Sequence, residues 1–487
     1  MRALRSGLVT GSGHRREPLR REPQRREPSA RAGADGAQPA RTAYHHLGPP
    51  NAPPSLARPD DALARSFGEA KRKRPRKVRA MAAAGLSIGM GNTRDHSLDA
   101  ARSLLMILGV PYHAALIYTP GYDWVMNSPD GIAWIGLFAD FIHSFRMPAF
   151  FLISGLLITH SLRRHGPREV LTSRASRLLV PLVAMTVTLN VAQLWMESRA
   201  IDPGLTAAEF ITQTIPTAFW SGGLVYHLWF LVELFISVLA LCLAYPLLVA
   251  LHRRLAERAP GLARWLADPP DWLPPLLLSL VMMGVLGFDN ISDLLVTPLV
   301  PTNSTAVSIV TSAGFFTVGV LIAHWPGGAA RYAKASWGVA LTYLVCFAIH
   351  IGMVGVEKPM PVRFLDEALR AIAAWSAFRF VLGLTQSFFS AESRRVRALS
   401  QASYTIYLLH HLVVMAAGFA LLAVTAPPLL EFAVITAVGL FVPLVVHHGL
   451  VRRSPALRFL MNGVPPGEAK KQSGPARSRE AMARRTG

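Results

Sequence analysis

The sequence predicts an all-α, polytopic membrane protein of about ten transmembrane helices behind a disordered, basic N-terminal extension. Three observations lead there. Of 487 residues, 51% are hydrophobic and only 16% charged, too few charged side chains for the surface of a soluble protein of this size. The mean hydropathy is +0.33, and the apolar residues gather in runs long enough to cross a bilayer. The formal charge of +21 is concentrated in the N-terminal extension and in alternate short loops, which argues against nucleic-acid binding. Cys242 and Cys346 both lie in apolar runs, which excludes a disulfide scaffold and offers no metal-ligand cluster.

Residues 1–97 are expected to lie outside the fold as a disordered cytosolic extension. Arg, Pro, Ala and Gly dominate, RREP recurs at 15–18, 20–23 and 25–28, and no apolar periodicity is sustained. Such a segment cannot bury enough surface to offset its ordering entropy. Residues 1–80 hold 19 Lys and Arg against 7 Asp and Glu. Their densest run, KRKRPRKVR at 71–79, reads as a flank that keeps the first helix's N-terminus in the cytosol. A nuclear-type signal or nucleic-acid patch is the sharper alternative. No short apolar run with a small-residue cleavage site precedes the first helix, and Met81 or Met90 is an expected alternative start.

The ten expected spans are 98–119, 145–162, 178–197, 225–250, 273–289, 305–325, 335–355, 366–389, 402–425 and 429–450. Residues 132–144 are too polar, at Asp140 and His143, for a clean span; they lie at the interface or extend the second helix. Alternate loops differ in charge. Those at 163–177, 251–271, 326–334 and 390–398 hold fourteen basic residues, whereas the opposite loops hold only Arg199, Lys358 and Arg363. By the positive-inside rule both termini are cytosolic. The tail 452–487 is basic and is expected to be cytosolic and, past about residue 467, flexible.

Four constellations could carry chemistry. The first is DAARSLLMILGVPYH at 99–113, where ten residues separate Arg102 from His113. An eleven-residue helical step returns within about 20° of the starting face and rises about 16 Å. Ionisable groups at such depth are costly and usually mark a pathway or site. The plain alternative is an Arg snorkelling to headgroups and one hydrogen-bonded interior His. The second pairs His143 with Arg146 at the start of the second span, where Ser154-Gly155 permits close helix packing. The third is Arg174-Ala-Ser-Arg177, two cations one turn apart, suited to an anion but also routine at an inner boundary. The fourth joins His227 and Trp229 to a polar stripe of Tyr404, Tyr407 and His411 on the ninth span. Tyr118, Tyr122 and Trp124 read as an interfacial aromatic belt, with sugar stacking as the alternative. Asp140, Glu233 and His350 lie in or near spans without an assigned role.

Together these segments resemble the acyltransferase-three family of multispanning membrane acyltransferases. There, an Arg, ten residues and a His in the first helix are the leading signature, and a basic RxxR element follows the second. The likeness spans about residues 94–465, carried by FADFIHSFRMPAFFLISG (138–155), YHLWFLV (226–232), SYTIYLLHH (403–411) and PALRFLMNG (455–463). The N-terminal 90 residues have no counterpart in it.

The resemblance implies O-acyl transfer, with succinyl the expected group, from cytosolic acyl-CoA to hydroxyls of a periplasmic glucan. Acyl-CoA (succinyl-CoA) is then a co-substrate; no bound cofactor and no metal are expected. Arg102, Arg174 and Arg177 would hold the coenzyme A phosphates through planar donor forks. His113 would act as general base, with Tyr404, Tyr407 and His411 as candidate partners for the tetrahedral oxyanion. Arg146, with His143, His227 and Trp229, would contact the acyl group or the acceptor. Expected partners are the donor, the glucan and the lipid bilayer of the bacterial inner membrane, with no nucleic acid; a homo-oligomer is left open. The alternatives are an O-acetyltransferase for lipopolysaccharide or another polysaccharide, and a secondary transporter of an anionic solute. A transporter should show matching repeats with interrupted helices, and no convincing repeat is visible.

Overall fold

The first candidate element, His96–Ile107 (α1), stops where the sequence forces it to. Pro111 has no N–H for the Ile107 carbonyl, and the helix is interrupted at Leu108 before resuming as Gly109–Leu116 (α2). Hydrogen bonds from Leu108 N to Leu104 O and from Tyr112 N to Leu108 O, 3.0 and 3.3 Å, carry the chain across the break in helical register. The single helix expected for Arg102 and His113 is therefore two successive pieces. The computed structural model describes residues 96–295, 303–389, 394–424 and 426–465. By its contacts the chain divides after Pro75, and all described residues belong to the second unit. The expected disordered extension at 1–97 falls almost wholly outside the described residues, as does the tail beyond 465.

No strand occurs among the described residues. After α2 come Ala133–His165 (α3), Pro167–Met185 (α4), a π-helical turn Thr186–Asn190 and Val191–Ile201 (α5). A short 3-10 segment, Gly223–Leu228, leads into Trp229–Arg258 (α6). Then follow Leu273–Leu295 (α7), Asn303–Ile322 (α8), Trp337–Gly352 (α9), Met360–Phe389 (α10), Arg394–Leu421 (α11), Pro428–Val446 (α12) and Pro455–Asn462 (α13). A helix occupies each of the ten segments expected to span. Among the described residues six helices are, by length and composition, long and apolar enough to cross a membrane: Ala133–His165, Pro167–Ile201, Gly223–Arg258, Met360–Phe389, Val396–Leu421 and Pro428–Val451. Leu273–Asp289, Ala306–Ile322 and Trp337–Gly352 are shorter apolar helices. Residues 132–144 do extend the second helix: α3 runs unbroken for 33 residues, about 50 Å at the usual rise.

Burial separates centre from perimeter. The apolar window of α3 is 67% buried and that of α10 61%, whereas Pro428–Val451 is 22% buried and Pro167–Ile201 28%. The exposed faces of the perimeter helices are apolar (Val183, Val187, Leu243, Leu247, Phe441 and Val445), as lipid contact requires. At the centre α3 crosses α8 with backbones nearly touching. A Cβ at Gly155 would strike the Phe316 carbonyl, and one at Gly319 the Leu152 carbonyl. The Ser154-Gly155 pair thus serves close packing. Farther along α3, Arg146 and Phe150 line the cavities.

Candidate active site

Two cavities adjoin inside the bundle, one lined by arginines and the other by imidazoles. The first measures about 760 Å³. Arg102 reaches it from α1, Arg174 and Arg177 from α4, Tyr404 from α11, and Arg458 and Asn462 from α13. Among the described residues no Asp or Glu lines it. The short helix α13 is seated by the last glycine of the PALRFLMNG segment. Gly463 adopts φ +60°, a left-handed conformation that glycine tolerates. Ser176 Oγ donates to the Gly463 carbonyl at 2.7 Å. A Cβ at Gly463 would collide with the Ser176 carbonyl and Arg177 Cα. Arg458 Nε and Asn462 Oδ1 are buried with no hydrogen-bond partner among the described residues, leaving both for a ligand.

The second cavity, about 330 Å³, is lined by Tyr112, His113, Tyr122, Trp124, His143, Arg146, Tyr226, His227, Trp229, Tyr407 and His411. Met106, Phe150 and Phe230 line both cavities and form the junction. Phe150 and Phe230 meet edge-to-face there at 4.6 Å. All three junction residues are more than nine-tenths buried.

Imidazoles cluster in the second chamber. Ring centroids of His113 lie 4.8 Å from His411, 5.3 Å from His410 and 6.4 Å from His227, and His227 stacks on His411 at 4.8 Å. Among the described residues no group of His, Cys, Asp and Glu could hold a metal ion. Hydrogen bonds to carbonyls fix most of these rings, because a carbonyl only accepts. His227 Nε2–H donates to the Tyr407 carbonyl at 3.0 Å, and the Tyr407 hydroxyl donates back to the His227 carbonyl at 2.8 Å. His410 Nδ1–H donates to the same Tyr407 carbonyl at 2.7 Å. His411 Nδ1 bonds Gln193 Oε1. His113 is the exception: its Nδ1 is buried without a partner among the described residues.

Arg146 is 7% exposed and forms no ion pair with a carboxylate among the described residues. It lies 4.8 Å from the Tyr112 ring centroid in cation–π geometry. Its guanidinium fits because residue 109 is glycine; a Cβ there would run into Nη1. Tyr112 in turn stacks on His143 at 5.4 Å.

All the sequence-derived candidates line one chamber or the other, in two groups. Arg102, Arg174, Arg177 and Tyr404 share the arginine chamber; His113, His143, Arg146, His227, Trp229, Tyr407 and His411 share the histidine chamber. Two expectations change. Tyr404 does not join His113; its hydroxyl donates to the Arg177 carbonyl at 3.0 Å. With the Tyr407 hydroxyl also donated to a carbonyl, neither tyrosine keeps its proton for an oxyanion. The aromatic-belt reading changes as well, for Tyr118 and Trp124. Backbone bonds from Ser128 N to Ile117 O and from Ile132 N to Tyr118 O, both 2.8 Å, fold that loop over the cavity. Trp124 then stacks on His113 at 6.0 Å, and Tyr118 is fully buried, donating to Glu431 at 2.9 Å. Of the groups without a role, Glu233 accepts from Ser312 at 2.6 Å, and His350 and Lys358 each bond Asp366 at 2.7 Å.

Sequence reasoning missed Gln193, Asn190, Arg458 and Asn462. Arg458 and Asn462 were visible inside the PALRFLMNG segment; an isolated Asn and Gln in an apolar run gave no spacing to read.

A family model described as an acyltransferase domain matches residues 95–448, which includes both chambers apart from α13 and its approach. The chain is 28% identical to glucans biosynthesis protein C of Escherichia coli O157:H7 (strain EC4115 / EHEC) over 411 residues, covering 79% of this chain and 98% of that protein. It is 27% identical, with the same coverage, to glucans biosynthesis protein C of Escherichia coli (strain K12). No solved structure matches. The R-x10-H helix, the paired chambers and a match across most of the chain agree, and the protein belongs to the acyltransferase-three family of membrane acyltransferases.

Proposed function

We propose that this protein is an inner-membrane O-acyltransferase that moves a succinyl group from cytosolic succinyl-CoA to a hydroxyl of a periplasmic glucan. The observation that carries the reading is the junction: an arginine chamber and an imidazole chamber meet at Met106, Phe150 and Phe230. A coenzyme A thioester needs cations for its phosphates at one end and a base for the acceptor hydroxyl at the other. Arg102, Arg174 and Arg177 supply the cations, as charge-assisted donors to phosphate. The pantetheine arm passes the junction and places its thioester beside His113, about 16 Å of helical rise from Arg102.

In the transfer step the acceptor oxygen bonds the thioester carbonyl carbon and its proton passes to an imidazole. The carbon–sulfur bond breaks and the sulfur leaves as the coenzyme A thiol after taking up that proton. Arg146 receives the free carboxylate of the succinyl group, which answers its burial without an ion pair. His143, His227 and Trp229 contact the acyl group or the sugar. The chain crosses the membrane about ten times with both termini, residues 1–97 and the tail 452–487 in the cytosol, so that the arginine chamber opens inward. The basic loops at 163–177 and 390–398 support that orientation, and relatives named for glucan biosynthesis support the acceptor.

The test is mass and charge analysis of periplasmic glucans from cells lacking the protein, complemented with wild type or with His113→Ala. Succinyl groups should vanish on deletion, return with wild type and stay absent with a stably expressed mutant. Unchanged glucans would overturn the acceptor and direct the search to lipopolysaccharide and exopolysaccharide. Full restoration by His113→Ala would overturn the mechanism.

A further inference from the structure

A chain of buried amides reaches the histidine chamber from its side, and its hydrogen bonds can be oriented without ambiguity. Asn190 and Gln193 are both fully buried, Asn190 ending the π-helical turn and Gln193 on the first turn of α5. Asn190 Nδ2 lies 2.7 Å from the Leu224 carbonyl and 3.2 Å from the Val225 carbonyl. Carbonyls only accept, so the amide must face them with its nitrogen. Asn190 Oδ1 therefore faces Gln193, which must present its own Nε2–H, at 2.7 Å. That leaves Gln193 Oε1, an acceptor only, against His411 Nδ1. The ring must carry its proton on Nδ1, and its Nε2 is left with a bare lone pair.

The anchor of this chain is itself unusual. Leu224 and Val225 belong to the turn that holds Tyr226 at φ +45° and ψ −130°, the only non-glycine positive φ among the described residues. Such backbone strain persists only where the surroundings enforce it. Here Asn190 holds the two preceding carbonyls, and the Tyr226 hydroxyl donates to Glu197 at 2.7 Å. Tyr226 and His227 come from this turn, and both face His411 across the chamber.

We infer that Gln193, anchored by Asn190, is a positioning residue that holds His411 in its Nδ1–H form, so that Nε2 serves the chamber as a proton acceptor. An orienting partner behind the base is the arrangement nucleophilic and acyl-transfer sites generally require. In this chamber the orientation is given to His411 and not to His113, whose Nδ1 has no partner among the described residues. His227 and His410 also have fixed tautomers, set by a backbone carbonyl. His411 is the one of the three whose lone pair is set by a side-chain amide, and it takes the hydroxyl proton directly or from His113, 4.8 Å away ring to ring. The inference rests on the acyl-transfer reading above.

The experiment uses the full chain in lipid nanodiscs, with labelled succinyl-CoA and purified glucan. Gln193→Met keeps length and removes both hydrogen bonds. It should lower kcat about 10²-fold, the lower range for loss of a positioned base, with the donor KM unchanged. Gln193→Glu keeps an oxygen against Nδ1 and adds charge, which favours the imidazolium. A base that must be neutral is then lost at higher pH, so the acid limb of the pH–rate profile should move upward. The groups facing His411 that titrate in the same profile are His113, His227, His410 and Tyr226, with Arg146 and Tyr407 nearby; none changes in these variants. Wild-type kcat in Gln193→Met would overturn the inference. So would lower activity in both variants with an unshifted profile, the mark of a merely structural role. Histidine-labelled 15N spectra give a readout independent of activity. One Nδ1–H signal, identified by its loss in His411→Phe, should change in Gln193→Met. If wild type transfers no acyl group the functional reading falls, and the spectra still decide the tautomer.

Discussion

The two chambers hold their side chains in opposite ways. In the histidine chamber His227, the adjacent His410 and His411 each commit one ring nitrogen to a fixed acceptor, and Tyr407 commits its hydroxyl. Their directions and tautomers are set by backbone and amide oxygens. In the arginine chamber cations converge, and among the described residues no acidic side chain lines it and two polar atoms on α13 stay without protein partners. Pinned rings suit a step in which a proton must find the right atom. Gathered cations suit capture of an anion that arrives with its own charge. Under the proposed reaction, substitutions in the first should act on kcat and in the second on the donor KM.

The sharpest way to break this comparison is to cut the chambers apart. Met106→Trp puts a large ring into the junction beside Phe150 and Phe230, where overpacking also strains the fold by about 1–3 kcal/mol. Transfer should fall at least about 10²-fold, as for other misplacements of a reacting group, while binding of coenzyme A itself is retained. Isothermal titration with coenzyme A alongside the transfer assay checks both halves. Loss of coenzyme A binding would mean that the chambers are not separate compartments.

A smaller effect is expected from the cations. Arg177→Ala removes one charge-assisted partner of the phosphates, worth about 1.5–3 kcal/mol. Because about 1.4 kcal/mol is a factor of ten, the donor KM should rise about 10- to 100-fold with little change in kcat. If kcat falls instead, Arg177 orients the thioester and the division of labour fails. On the other side, Arg146→Met should lower the preference for succinyl-CoA over acetyl-CoA about tenfold, the lower end for loss of one bond to a charged group. Competition between the two donors measures this directly.

What was legible in the sequence follows from the same contrast. Charge and regular spacing survive in one dimension. Arg102, His113, Arg174 and Arg177 announced themselves by depth or by helical repeat, and all four line the chambers. The fold class was equally open, because apolar run length dictates helices in lipid. What did not show was anything set by a bend. Pro111 explains the break at Leu108 only once the helix is seen to stop there. Trp124 looked like a belt residue because the return of 117–132 over the cavity depends on backbone bonds between distant residues. Asn190 and Gln193 gained meaning from a π-helical turn, which shifts the register by which side chains on one face are recognised.

The smallest effect tests whether α13 is part of the donor chamber or merely lies beside it. Ser176 sits between Arg174 and Arg177 on α4, and its hydroxyl holds the Gly463 carbonyl at 2.7 Å. That bond ties the segment carrying Arg458 and Asn462 to the segment carrying the arginine pair. Ser176→Ala removes one neutral hydrogen bond, about 0.5–1.5 kcal/mol. It changes no charge and no group that lines the chamber. If α13 completes the chamber, its loosening should raise the donor KM about two- to tenfold and leave kcat alone. Arg458→Ala should raise it further, and combining the two should give less than the product of the separate effects, because both act through the placement of one guanidinium. Independent, multiplicative effects would mean that Ser176 only caps a surface helix, and the arginine chamber would then end at α4.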